Sequence, residues 1–209
     1  MKPPKIDRLT ELNLAQAVEW LGTKDARLGQ VVQKYGGPPL WARTPNFGTL
    51  VHIILEQQVS LASAKACFDK LQNRLGQVDP KGLLALTDSE LLELGFSRQK
   101  TRYIRILAQS IVAHQLVLDD MEKQTDETVF TTLTALTGIG PWTANIFLLM
   151  GLGRPDIWPG GDLALVIALQ ELFGLSRRPD AQQFNEIGEG FRPYRSVAAR
   201  ILWHYYLSR

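Results

Sequence analysis

Apolar residues along this chain recur at helical intervals almost everywhere. Phe47, Leu50, Val51 and Ile54 fall at i, i+3, i+4 and i+7, as do Ile104, Leu107, Ala108 and Ile111. The segment TDSELLEL at 87–94 begins with Thr87 and carries Glu90 three residues later. That is a capping-box signature, and Gly95 supplies the stop. The pattern predicts further helices over 126–136 and 193–206. It also predicts two that are apolar on every side, over 141–152 and 163–173, and therefore buried. No segment alternates at period two for long, and no Asn-Gly or Asp-Gly hairpin occurs. The expected fold is all-α, with about ten or more helices. The Pro/Gly-dense stretch is GLGRPDIWPGG at 151–161, which reads as a hinge between two lobes.

Between the predicted helices 126–136 and 141–152 lies LTGIGPWTAN. Gly138 and Gly140 permit backbone angles closed to other residues and let a ligand approach the main chain. Pro141 suits the first helical position. Backbone N–H groups at a helix start bind phosphate without reading sequence. Ile139 is expected to tuck inward and anchor the turn. On these residues alone a plain corner between two helices is an equal reading.

Bulk composition narrows the partners. The 209 residues are 45% hydrophobic and 21% charged, with a formal net charge of +2. Nucleic acid is permitted but not required, and binding needs a local patch. One cysteine, Cys67, rules out an internal disulfide or a four-thiolate cluster. His52, His114 and His204 lack metal-ligand spacing and receive no role. The N-terminus has no secretory apolar core, and no apolar run approaches membrane-spanning length. The expectation is a cytoplasmic, soluble monomer, nucleoid-associated in a bacterium.

LTGIGPWTAN resembles the hairpin of the helix-hairpin-helix (HhH-GPD) base-excision DNA glycosylases. A Gly/Pro loop, RPDIWPGG, and then Asp162 follow it, and Asp162 lies 22 residues after Gly140. That spacing is similar to the 3-methyladenine DNA glycosylase II branch. ILEQQVS at 54–60, LLELGFSRQKTRYIRILA at 91–108 and RPYRSVAARILWHYY at 192–206 agree in order. The likeness spans roughly 45–206. It implies a single HhH-GPD unit over 1–209 with two lobes and a cleft: 45–153 with the hairpin at 136–145, and 1–44 with 154–209. Most of the N-terminal α/β subdomain of longer relatives is missing, and Gly161 stands where some relatives carry a second acid.

The resemblance also implies chemistry. Breaking a base–sugar bond builds positive charge on the sugar, which a carboxylate stabilises while it orients or deprotonates water. Asp162 is the candidate, although by local sequence it is an ordinary helix N-cap. Relatives that cut the strand carry lysine after the hairpin proline and form a Schiff base; here the residue is Trp142. A monofunctional hydrolase with no cofactor and no catalytic metal follows. Trp142 and Trp203 would line the base pocket and favour a cationic purine such as 3-methyladenine or 7-methylguanine. Ile146 takes a pocket position where some relatives have tyrosine. In duplex DNA the base must be flipped, with Gln58 as the wedge and Gln57 beside it. Ser60, Gly138, Ile139, Gly140 and Thr143 complete the expected DNA contacts, although Ser60 also suits the N-cap of the next helix. The main-chain carbonyls of Leu136 and Ile139 would hold a structural monovalent cation. Arg98, Lys100, Arg102 and Arg105 track phosphates or form a solvated face, and Arg195 suggests an ion pair near Asp162. Two rivals stay open: a non-catalytic DNA-binding module, and a glycosylase for deaminated or oxidised bases.

Overall fold

The computed structural model describes residues 2–209, and among these it contains twelve α-helices and no strand. In chain order they are α1 (Glu11–Lys24), α2 (Ala26–Tyr35), α3 (Phe47–Glu56), α4 (Leu61–Leu75), α5 (Pro80–Ala85), α6 (Asp88–Glu93), α7 (Arg98–Val112), α8 (Asp126–Thr134), α9 (Pro141–Ile146), α10 (Leu163–Leu172), α11 (Ala181–Glu189) and α12 (Arg195–Ser208). The chain divides into two compact units. One is Arg43–Leu152; the other joins the described residues up to Ala42 to Gly153–Arg209.

In the unit Arg43–Leu152, α3 is the central element. Every residue of it except His52 is buried, so its apolar run needs neighbours on all sides. It receives α4, α7 and α9. Its one buried acid, Glu56, is paired with Arg43 through two hydrogen bonds of 2.6 and 3.1 Å. The pairing keeps a buried carboxylate from being left uncompensated. The capping box at α6 forms as the sequence predicts: Glu90 accepts from the Thr87 backbone at 2.8 Å. That bond, with the Arg74 guanidinium, holds the Glu90 carboxyl down to about 2. The expected helix 141–152 is not uniform. It is α-helical to Ile146 and then widens into a π-helical turn over Phe147–Gly151, where Leu152 N–H reaches the Phe147 carbonyl at 3.0 Å. Gly151 has no Cβ, which leaves room for the Phe147 ring against its backbone.

In the other unit, α12 is the core. Ser196 through Trp203 are all buried against α10, α2 and α1. This helix begins at Arg195 rather than at Pro193, because Tyr194 is its non-helical N-cap. Helix α8 likewise ends at Thr134, two residues short of the expected 136.

Candidate functional site

Asp162 is the N-cap of α10, and its Oδ1 accepts from Leu165 N–H at 3.0 Å. A second donor reaches the same oxygen: Trp203 Nε1–H, also at 3.0 Å. The cap role read from local sequence is therefore real, and the tryptophan adds something a cap does not need. Two donors from two helices fix the carboxylate's orientation, and hydrogen bonds to a carboxylate are stronger than neutral ones. Asp162 stays half-buried, with Gly161 exposed before it and Leu163 exposed after it.

The loop that delivers Asp162 is tied down along its length. Trp158 is buried, stacks on Phe184 at 4.7 Å and donates to the Phe184 carbonyl at 3.1 Å. Ile157 N–H bonds Ser196 Oγ at 2.9 Å, and Ser196 N–H bonds the Pro155 carbonyl at 3.0 Å. Arg195 bonds Asp156 Oδ1 at 2.9 Å and Glu189 at 2.9 Å. Arg195 forms an ion pair as expected, and its partners, Asp156 and Glu189, lie in its own unit. A guanidinium fork matches a carboxylate three residues into the loop, so Arg195 pins the loop instead of neutralising its acid. The same bonds anchor 155–158 as a strap, and the division between the two units falls at Leu152/Gly153, within the Pro/Gly-dense stretch 151–161.

Within the other unit, the hairpin forms between α8 and α9. Gly138 has φ +97°, and a Cβ there would overlap the Tyr103 ring of α7. Glycine is thus required twice at one position. Ile139 is buried and its N–H closes the turn on the Leu136 carbonyl at 3.1 Å. Pro141 takes the first helical position and Gly140 gives no side-chain cap at the start of α9.

Gln57 lies where the sequence could not place it. Its Nε2 donates to the Gly138 carbonyl and to Thr143 Oγ1, both at 2.9 Å. It buttresses the hairpin. Thr143, expected among the DNA contacts, is 1% exposed, so its hydroxyl serves this internal bond. Gln58 is the outward residue. It is exposed and left-handed, at φ +58°, with exposed Val59 and Leu61 beside it. A non-glycine residue held there stores backbone strain of ~1–3 kcal/mol, a feature that clusters at ligand contacts. Ser60 accepts from Ser63 N–H at 3.2 Å as the N-cap of α4. Trp142 is half-buried, whereas Ile146 is buried.

Two of the four basic candidates have structural partners. Lys100 donates to the Leu55 carbonyl, and Arg105 to Asp88 and the Leu86 carbonyl. Arg98 and Arg102 are exposed. Cys67 is buried, and burial raises its thiol pKa, which makes it a poor nucleophile. Among the described residues, no group of three His, Cys, Asp or Glu side chains is placed to hold a metal, and no helix is long and apolar enough to cross a membrane.

A Gly-Ile-Gly hairpin opening a helix, with a separately anchored Asp after a Gly/Pro loop, defines the helix-hairpin-helix glycosylase class. The family model for HhH-GPD superfamily base excision DNA repair proteins matches residues 51–193, and the chain belongs to that family. It is 27% identical to an alkylbase DNA glycosidase-like protein of Schizosaccharomyces pombe, over 90% of this chain and 92% of that protein. Among solved structures it is similar to a DNA-3-methyladenine glycosidase from Bacillus halodurans: 30% identity, TM-score 0.75, 92% of this chain and 89% of the other. The fold is also that of the S. pombe 3-methyladenine DNA glycosylase solved with abasic DNA, at TM-score 0.80 and 24% identity, covering 91% of this chain and 95% of the other.

Proposed function

We propose that this protein is a monofunctional DNA glycosylase that removes cationic alkylated purines, such as 3-methyladenine and 7-methylguanine, from duplex DNA. The observation that carries the reading is the Asp162 carboxylate, set at a helix start and held by an indole donor. That is more orientation than a helix cap requires. Relatives of the same family named for alkylbase or 3-methyladenine removal support the lesion class.

Asp162 faces the flipped nucleotide's sugar. Its negative charge stabilises the cationic sugar as the base–sugar C–N bond breaks, and the base leaves with the bonding electrons. A methylated purine is already positively charged, so it departs neutral without being protonated. Asp162 then takes a proton from water as the new C–O bond forms, and an abasic site results. Trp142 sits where a lysine would allow strand cleavage, so no Schiff base forms and the backbone stays intact. Contacts to the flipped base are assigned to Trp142, Trp203 and Ile146, the indoles supplying the electron-rich surface a cationic purine favours.

Gln58 enters the duplex where the base has left, with Gln57 holding the hairpin behind it. Gly138 and Gly140 present the main chain to a phosphate, with Ile139 anchoring the turn through its own N–H bond to the Leu136 carbonyl. The carbonyls of Leu136 and Ile139 suit a monovalent cation: both are neutral oxygens, and Leu136 spends one lone pair on the turn, leaving a second. Such a cation would bridge the hairpin to a phosphate. The protein acts as a monomer on DNA in the cytoplasm.

The test is base release from duplexes carrying 3-methyladenine, 7-methylguanine, uracil or 8-oxoguanine. Release of the two methylated purines, with strand breaks only after added alkali, is the expected result. Release of uracil or 8-oxoguanine alone would overturn the lesion class. Tight DNA binding with no release from any duplex would make the protein a non-catalytic DNA-binding module.

A further inference from the structure

Trp41 is one of three described non-glycine residues with a left-handed backbone, at φ +47°. Bulky side chains are rarely found there, and such a residue persists only when its surroundings over-determine it. The surroundings do. Leu40, just before it, is buried, and its carbonyl accepts from Arg200 Nε at 2.8 Å. Arg200 is 1% exposed and also donates to the Ser196 carbonyl at 3.0 Å. A guanidinium is thus kept inside the unit to hold one short segment. Desolvation draws it down to about 10, yet it stays charged at neutral pH.

What this anchoring presents is an indole ring. Trp41 packs edge-to-face on Trp203, with centroids 6.4 Å apart and planes at 72°. Trp203 is the side chain that donates to Asp162. Trp41, Trp203, Asp162 and Arg200 belong to the same unit. Core packing accounts for Trp20 and Trp158, which are buried. Trp41 is only half-buried. A strained backbone that leaves a large aromatic partly in water is costly unless the ring meets a ligand.

We infer that Trp41 is a substrate-binding residue: a wall of the base pocket whose indole contacts the flipped purine and favours a cationic lesion over a neutral one. This rests on the alkylpurine reading above. Arg200 is its positioning residue, acting through the Leu40 carbonyl.

The experiment compares wild type, Trp41→Leu and Trp41→Phe in single-turnover excision of 7-methylguanine and of hypoxanthine, a neutral purine. Affinity for duplex with an abasic-site analogue and the melting temperature are measured in parallel. Trp41→Leu keeps an apolar side chain and loses the π face. It should lower 7-methylguanine excision about 10- to 30-fold, change hypoxanthine excision less than threefold, and leave abasic-DNA affinity within about twofold. Trp41→Phe should recover most of the loss. Equal losses on both lesions with a lowered melting temperature, or no loss on either, would overturn the inference and leave the glycosylase reading standing. If wild type releases neither base, the glycosylase reading has failed. Quenching of indole fluorescence by free 3-methyladenine then decides: loss of quenching in Trp41→Leu upholds Trp41 as a purine-binding residue, and unchanged or absent quenching overturns it.

Discussion

At the scale of single residues, the reading turns on what holds Asp162 still. Its Oδ1 takes donors from Leu165 N–H and Trp203 Nε1, and only the second depends on a side chain. Trp203→Phe keeps an aromatic ring and removes the donor. Excision should fall about tenfold or more, the worth of a hydrogen bond to a charged group, with the melting temperature little changed. Single-turnover rates and a thermal melt check this together. A rate unchanged within twofold would reduce the bond to packing. Residue identity was legible here: Asp162 follows from its place after the hairpin and loop. Its partner's geometry was not, since Trp203 lies 41 residues away and only tertiary folding brings its N–H to the carboxylate. Trp41 was less legible still. Its backbone conformation is imposed by Arg200, 160 residues beyond the Leu40 carbonyl it bonds.

Elements obey local rules where those rules act alone. The box at α6 follows from Thr87 and Glu90, three residues apart, and it has a pH signature. The Glu90 carboxyl is held at about 2 by the Thr87 backbone and Arg74 bonds, below an ordinary 4.5. The unfolded chain therefore takes up this proton first as pH falls. The stabilisation is fully present above about pH 4.5 and is lost progressively toward pH 2. Denaturant titrations of Glu90→Gln across that window should show a shallower loss of stability than wild type; parallel curves would contradict the assignment. The π-helical turn at Phe147–Gly151 was not legible, because an unbroken apolar run carries no mark of where the helix widens. The hairpin stands between these cases. Glycines at 138 and 140 were readable as a turn, but the Tyr103 ring against Gly138 and the Gln57 amide behind it were not. Gly138→Ala meets both a left-handed φ and that ring. It should cost ~1–3 kcal/mol in stability and weaken binding to undamaged duplex by more than tenfold, read by denaturant unfolding and fluorescence anisotropy. Normal stability and binding would show that the hairpin's glycine is dispensable.

For the whole molecule, fold class was the most legible property. Helical periodicity recurs in both units, and no segment competes as a strand. Four motif blocks in order gave the family, now matched over residues 51–193. Net charge of +2 says little about DNA; the grip is assigned to main-chain donors rather than to bulk cations. The central claim is that Asp162 performs the chemistry and not the binding. It is tested most directly by 7-methylguanine release from duplex DNA by wild type and Asp162→Asn, with affinity for an abasic-site analogue measured on the same preparations. The account predicts release by wild type, a loss of roughly 10²–10³-fold in the variant, on the scale of other electrostatic catalytic groups, and affinities within a few fold of each other. An Asp162→Asn protein that still releases the base at a comparable rate would contradict it.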